Sequence, residues 1–517
     1  MLAISDILCT ILGVKSESRC EIVESWPDVW TEGGISGAIV HNEEIVRVYR
    51  ELFVDGQWRA ADGPSHVAYS SRTGEPVAEV PEAAPALIDE AVRAAAGALQ
   101  QWSATAPARR AALLERVADA LAGRADEIAA AVSEEVGMPL RLSQRLQAAA
   151  PVESWRANAR YAASLEDERR IAHSRIVREP VGVVVAITPW NYPLHQITAK
   201  VAAALAAGAT VVLKPSEVAP TAAFILAECI AQAGLPAGVF NLLTGAGPTV
   251  GESLVRHPLV AMVSFTGSTA AGVRVAELAA AGMRRVTLEL GGKSASIVLE
   301  GADLAKAVKA TLASCMLNSG QTCNALTRLV VPRELLGEVA ELLRAALVAY
   351  RVGDPLDPQI RLGPLASAEQ AQRVRRTIAA ARASGVPIMA DTTLPEELPG
   401  GYYVAPIVFG PVEDRASILV QDEIFGPVLV VQPHDGVDDA VALANCTRYG
   451  LAAAVWAADA EAAMRVARRR RAGQVDCNGA AFNPEAPFGG YGLSGLGREN
   501  GPLGVEGFLE TKSVQLP

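Results

Sequence analysis

Val181-Gly182-Val183-Val184-Val185-Ala186-Ile187 is an almost unbroken apolar run, rich in β-branched residues and short enough to be one strand. A strand apolar on both faces belongs inside a parallel sheet covered on both sides. Outward from it, strand and helix alternate. Strands read at 210–213, 239–243, 262–265 and 285–290, and helices at 219–233 and 270–281. That alternation implies βαβ units and a doubly wound α/β sheet. After Gly291 it restarts with a helix over 304–317 and a strand over 328–331, which predicts a second α/β domain. Upstream, 175–178 reads as a strand, while 84–102 and 108–136 carry apolar residues at helical spacing. Leu52-Phe53-Val54-Asp55-Gly56-Gln57-Trp58 reads as a hairpin turning at Asp-Gly. Residues 1–48 show no sustained period and are set apart, either as a helical extension or as the product of an upstream start codon.

A chain of 517 residues exceeds one ordinary core, so two or three packed regions are expected. A net charge of −11 argues against a nucleic-acid partner, because phosphate binding needs a basic surface. Cys9, Cys20, Cys229, Cys315, Cys323, Cys446 and Cys477 are odd in number and form no C-x-x-C pair. That favours reduced thiols and a cytoplasmic setting over a disulfide framework. The histidines never reach H-E-x-x-H spacing, so no metal is expected. Residues 1–14 lack a basic stretch and carry Asp6, which makes a poor signal peptide. The longest apolar stretch, 201–213, lies between Lys200 and Lys214 and is too short to span a bilayer.

Three segments carry chemistry only in combination. In Asn318-Ser319-Gly320-Gln321-Thr322-Cys323-Asn324, a cysteine follows a helix end and a glycine that permits a sharp turn. A lone cysteine in such a place is commonly a small buried hydrophobe. Thr287-Leu288-Glu289-Leu290-Gly291-Gly292-Lys293 sets an acid in an apolar strand before a double-glycine break. Apolar neighbours raise a carboxyl pKa toward what a general base near neutrality needs; a solvated strand-end carboxylate is the plain alternative. Ile187-Thr188-Pro189-Trp190-Asn191-Tyr192-Pro193 presents an amide on a proline-stiffened loop. Asn191 can donate to a developing oxyanion, or simply cap the next helix.

Together these segments resemble the aldehyde dehydrogenase superfamily, from about Leu52 to Lys512. The resemblance also rests on Leu213-Lys214-Pro215-Ser216-Glu217, Phe265-Thr266-Gly267-Ser268, Glu423-Ile424-Phe425-Gly426-Pro427 and Pro487-Phe488-Gly489-Gly490. It implies a Rossmann-type NAD(P)-binding domain (49–158 and 181–290), a catalytic α/β domain (291–492) and a β-strand oligomerisation arm (159–180 and 493–517). It implies that Cys323 attacks an aldehyde, that Asn191 and the Cys323 backbone N–H hold the oxyanion, and that hydride passes to nicotinamide. Glu289 then activates water against the thioester, with Lys200 and Glu499 relaying protons or forming a structural salt bridge.

For the cofactor, the resemblance implies contacts from Ile187, Thr188, Pro189, Trp190, Lys214, Ser216, Glu217, Gly267, Ser268, Leu290, Gly291, Glu423 and Phe425. Glu217 favours NAD by accepting from a ribose hydroxyl and repelling a 2′-phosphate, with NADP as a second cofactor. The substrate pocket falls on Tyr192, His195, Gln196, Ala199, Leu317, Phe482 and Phe488. Ala199 widens it, and His195 and Gln196 make it more polar than in many relatives. No arginine clamp and no aromatic cage stand out, and Gly492 replaces a frequent lysine. A homodimer or homotetramer is expected, with 504–514 as a strand added to a partner's sheet; a terminal strand packed on its own chain is the plain alternative. Two rivals stand beside this reading. A CoA-acylating semialdehyde dehydrogenase tends to lack the base that Glu289 supplies. A non-catalytic protein on the same fold would be expected to lose Cys323 or Glu289.

Overall fold

The computed structural model describes residues 35–41, 44–165 and 168–517. The apolar runs form a parallel sheet: β1 (Val183–Ile187), then helix α1 (Pro193–Ala207), β2 (Thr210–Lys214), β3 (Phe240–Leu242) and β4 (Val260–Thr266). Helix α2 (Thr269–Ala280) leads to β5 (Arg285–Glu289). The spatial order is β3-β2-β1-β4-β5, and every pairing among these five is parallel. Each residue of β1 and β2 is buried, because helices cover both faces. The chain leaves β1 toward one side and resumes at β4 on the other, so the loops after these strands diverge. In open α/β sheets ligands bind at such a switch point, outside the carboxyl ends of the strands. Ile187, Thr266 and Glu289 stand at those ends.

The second sheet begins with β6 (Ala295–Val298), helix α3 (Leu304–Met316) and β7 (Arg328–Pro332). It is completed by β8 (Ile388–Asp391), β9 (Ile407–Phe409), β10 (Val428–His434), β11 (Ala452–Trp456) and β12 (Gln474–Cys477). Its order is β8-β9-β10-β7-β6-β11-β12, parallel except where β8 meets β9. Cys323 lies in the loop between α3 and β7. The chain then returns to the first sheet: β13 (Gly495–Leu496) pairs antiparallel with β5 and sets Gly495 opposite Glu289.

Elsewhere the structure departs from the sequence reading. The helical stretch 108–136 is two helices, Pro107–Ala122 and Ala125–Val136, broken at Gly123 and Arg124. Arg124 leaves the helical path there and pairs with Glu127 and Glu228. The segment read as a strand over 504–514 begins as a helix, Gly501–Glu506, and only then becomes β14 (Leu509–Gln515). Asn500 at φ 64° and Pro502 in the first turn start that helix where side-chain alternation alone suggested a strand. β14 pairs with Ser174–Pro180 of its own chain, and Glu168–Ile171 forms the third strand of this small sheet.

Near the amino end, strand Glu44–Tyr49 crosses the expected boundary at 48 and pairs parallel with Pro76–Pro81. Val48 and Tyr49 are buried, and Tyr49 stacks on Phe224 at 3.8 Å. Residues 1–34 of the expected extension lie outside the described residues. No helix among the described residues is long and apolar enough to cross a membrane.

Candidate active site

The Cys323 loop owes its shape to backbone that few residues adopt. Asn318, Ser319 and Gly320 are consecutively left-handed, at φ 50°, 56° and 80°. A Cβ on Gly320 would lie 2.1 Å from the Gly426 carbonyl oxygen, so only glycine passes there. Strained backbone of this kind persists only where its surroundings over-determine it. Here they do: the Ser319 hydroxyl donates to the Gly363 carbonyl at 2.8 Å, and the Ala366 N–H donates to Gln321 Oε1 at 2.9 Å.

Asn191 is tied to this loop. Its side-chain amide donates to the Gln321 carbonyl at 2.9 Å, while Asn318 Nδ2 donates to the Asn191 carbonyl at 3.0 Å. The helix-capping alternative is thereby removed, since α1 starts after Tyr192 with no side-chain cap. One amide hydrogen fixes the plane of Asn191 and leaves the other for a ligand.

Burial pushes the Cys323 thiol up to about 12, and the charges of Glu423 and Glu289 push the same way. The thiol is therefore protonated at rest. Glu289 is 3% exposed, and neither carboxylate oxygen has a hydrogen-bond partner. Burial, then repulsion from Glu499, raises its pKa well above the ordinary carboxyl range, against weaker pulls from Lys200 and Arg498. A Cβ on Gly489 would stand 2.6 Å from Glu289 Oε1, so the glycine makes room for the carboxylate. Lys200 and Glu499 form a fully buried ion pair, and Glu499 also accepts from Ser264 Oγ at 3.5 Å.

Around the carboxyl ends of the first sheet's strands stand features that a dinucleotide needs. Ser268 caps α2 by accepting from the Ala271 N–H at 3.2 Å, at the helix end where amide donors favour phosphate. Gly267 lets the chain pass Phe265, whose ring a Cβ would meet at 2.6 Å. Lys214 is buried, which lowers its pKa, and it donates to Glu217 Oε2 at 3.3 Å. Ser216 Oγ, beside them, accepts from the Val218 N–H at 3.2 Å. Glu423 accepts from the Gly292 N–H at 3.0 Å, and burial raises its pKa to about 7. A Cβ on Gly291 would lie 2.3 Å from Glu423 Oε2. Phe425 is left-handed at φ 60° and meets Trp190 edge-on at 5.5 Å. These residues form a cradle that fits a nicotinamide dinucleotide.

Against this geometry, similarity to known proteins decides the family. A sequence model described as the aldehyde dehydrogenase family matches residues 58–514. The chain belongs to the aldehyde dehydrogenase family. Oxidation of an aldehyde, the reaction class that the motifs implied, is thus its own. It is 44% identical over 472 residues to a 3-succinoylsemialdehyde-pyridine dehydrogenase of a Pseudomonas species, covering 91% of this chain and 99% of that one. Among solved structures it is similar to aldehyde dehydrogenase C of Pseudomonas syringae in complex with NAD+ and octanal. The TM-score is 0.88 at 43% identity, over 90% of this chain and 96% of that one. A Mycobacterium tuberculosis aldehyde dehydrogenase with NAD+ gives a TM-score of 0.88 at 39% identity, over 91% and 99%.

Within this aldehyde dehydrogenase the expected pocket residues divide. Tyr192, Gln196 and Ala199 are buried along α1, while Leu317 and His195 are half-buried. The Tyr192 and Thr322 hydroxyls lie 2.7 Å apart. Phe482 and Phe488 meet edge-on at 6.3 Å, but Phe482 is 46% exposed and marks a rim rather than a lining. Sequence reasoning missed Gln147, which is fully buried and whose Oε1 accepts from the His195 N–H at 3.3 Å. It also missed the buried, unpartnered amine of Lys293, whose pKa burial lowers to about 7. No local signal marks Gln147, and Lys293 enters the sequence reading only as the end of the Glu289 segment, its burial coming from distant segments.

Proposed function

We propose that this aldehyde dehydrogenase converts an aldehyde to its carboxylic acid through a thioester on Cys323, with NAD as cofactor. The observation that carries the reading is one neighbourhood holding a buried thiol, an unpartnered buried carboxylate and an amide fixed by the thiol's own loop. Because the thiol is protonated at rest, attack begins with proton removal, and Glu289 is a base whose raised pKa suits that task. The Cys323 sulfur adds to the carbonyl carbon, and the oxygen takes up negative charge. Asn191, through its remaining amide hydrogen, and the Cys323 backbone N–H hold that charge. When bound, the nicotinamide supplies the hydride acceptor that turns the adduct into a thioester. Glu289, once it has passed the thiol's proton on, takes a proton from water, which attacks the thioester and releases Cys323 as the thiolate. The buried Lys200–Glu499 pair, whose charges act on Glu289, supports a role for both residues in carrying each proton onward.

The cofactor would be held by the loop after β1 (Ile187, Thr188, Pro189, Trp190), by Lys214, Ser216 and Glu217 at its adenosine end, and by Gly267 and Ser268 at its phosphates. Leu290, Gly291, Glu423 and Phe425 would hold the nicotinamide end. We assign the segments around the first sheet to cofactor binding and those around the second to catalysis. The edge strands Glu168–Ile171 and β12 each lack a second neighbour among the described residues, which supports pairing with another copy of this chain. The described cysteines are unpaired, which suits a cytoplasmic protein. A long-tailed aldehyde fits the small Ala199 and the octanal held by the Pseudomonas syringae relative.

The deciding measurement is NADH formation from an aldehyde panel, with and without CoA, by wild type and Cys323→Ala. Water-dependent turnover that the substitution abolishes, with NAD binding retained, is expected. Turnover only with CoA, or turnover near wild type in Cys323→Ala, would overturn the reading.

A further inference from the structure

Glu82 belongs to no motif of the proposed reaction. It follows the strand Pro76–Pro81, and its segment runs beside the loop after β3. The Ala83 N–H donates to the Thr244 carbonyl at 2.9 Å, and the Thr244 hydroxyl donates to the Pro81 carbonyl. Alongside these bonds, Glu82 Oε2 accepts from the Ala246 N–H at 3.1 Å and meets His66 Nε2 at 2.7 Å. Gly245 lies at φ 141°, and a Cβ on it would stand 2.7 Å from Glu82 Cγ and 2.4 Å from Val250 Cγ2. Glycine is therefore what lets the carboxylate approach this loop.

What Glu82 holds is the start of a π-helical turn, Gly247–Gly251, which runs on into the helix Glu252–Arg256. Ala246 opens that turn and, as alanine, brings no polar side chain to it, so the fixing group comes from 164 positions away. Burial raises the pKa of Glu82, but hydrogen bonds from His66, Thr249 and the Ala246 N–H outweigh it. The carboxyl is held below its ordinary range and is ionised near neutrality. The far end of the same turn lies against Lys214: a Cβ on Gly251 would stand 3.9 Å from Lys214 Cδ. The Glu82 charge also acts on the Lys214 amine. Lys214 ends β2, and the neighbouring β3 leads into this loop, so the turn stands beside the place assigned to the cofactor's adenosine. Gly247, Pro248 and Thr249 are exposed there, open to a ligand.

We infer that Glu82, steadied by His66, is a positioning residue for the cofactor: it fixes the turn over 246–251 as a wall for the adenosine half. The inference deepens the proposed function and rests on its assignment of Lys214 and Glu217 to that half. A turn released from Glu82 spends less time in the shape that binds, and apparent affinity falls by the fraction lost. The loss therefore appears in binding of the cofactor and not in the chemical step.

The test measures the dissociation constants of NAD and of 5′-AMP, which carries the adenosine half alone, by titration calorimetry. It adds kcat at saturating NAD with an aldehyde that wild type oxidises. Glu82→Leu is expected to raise both constants about tenfold, the worth of one charge-assisted hydrogen bond, without lowering kcat. Glu82→Gln keeps an acceptor for the Ala246 N–H and should recover most of the loss. Ala246→Pro removes the same bond from the donor side, and Ala246 already lies at φ −69°, where proline fits. It should weaken 5′-AMP by a similar factor, and adding Glu82→Leu to it should cost little more. A cooperative thermal transition establishes that each variant is folded. A 5′-AMP constant unchanged in the folded variants overturns the inference, and so does a kcat that falls as far as affinity does. If 5′-AMP does not compete with NAD in wild type, the adenosine assignment falls first and the inference with it. If it competes and no variant alters its constant, only the inference falls.

Discussion

The Tyr192 hydroxyl stands 2.7 Å from the Thr322 hydroxyl, which itself donates to the Leu317 carbonyl at 3.1 Å. Thr322 has one hydroxyl hydrogen, so Tyr192 must be the donor between them. The pair fastens the start of α1 to the loop that carries Cys323. Tyr192→Phe should lower kcat about fivefold, the effect of one net hydrogen bond, through slower formation of the Cys323 adduct. Rapid-mixing kinetics would show this as a smaller rate in the first turnover, and an unchanged first turnover would refute it.

Glu289 gives a prediction in pH. Its carboxyl is held well above the ordinary range, so the basic form appears only as pH rises through that raised value. Deacylation should therefore rise with pH on a limb that lies above the usual carboxylate range. Glu289→Gln should lose the limb and slow deacylation by about 10²–10⁴-fold. Intact-mass spectrometry should then reveal an acyl group on the protein. A wild-type pH profile in the variant would count against Glu289 as the base.

Lys200 and Glu499 are both sealed from solvent, so either charge alone is badly placed. Lys200→Met should destabilise the protein by about 3–5 kcal/mol, while Lys200→Met with Glu499→Leu should recover much of that loss. Denaturant unfolding measures both. If the recovered double variant also deacylates at the wild-type rate, the pair has no part in proton transfer.

Glu217 is half-exposed and tied to Lys214. Glu217→Ser removes the carboxylate that would repel a 2′-phosphate, so the NADP-to-NAD ratio of kcat/KM should rise. An unchanged ratio would remove Glu217 from the adenosine end.

The sheet around β1 was legible because a strand buried on both faces writes its environment into consecutive residues. The motifs around Asn191, Glu289 and Cys323 were legible as a constellation, although none was decisive alone. What could not be read is long-range. The Asn191–Gln321 bond, spanning 130 positions, is one such contact, whereas Lys200 and Glu499, 299 positions apart, are set together only by the family resemblance. Gln147 reaches His195 across 48 residues, with no periodicity to announce it. The split at Gly123 was hidden because apolar spacing continues across it. The helix at Gly501–Glu506 was hidden because its start depends on one left-handed asparagine.

β13 returns to the first sheet from near the end of the chain, and the residues around it place Phe488, Gly489, Gly495 and Glu499 about Glu289. On the ribosome, the nucleophile and its base are made well before the wall that encloses them. A nascent chain can fold its first sheet early, yet it holds an unfinished site until Glu499 has been added. Premature termination between Cys323 and Glu499 would leave the thiol and its base in a protein unable to complete a turnover. Competence is thus coupled to synthesis through Glu499 by the order of the strands alone.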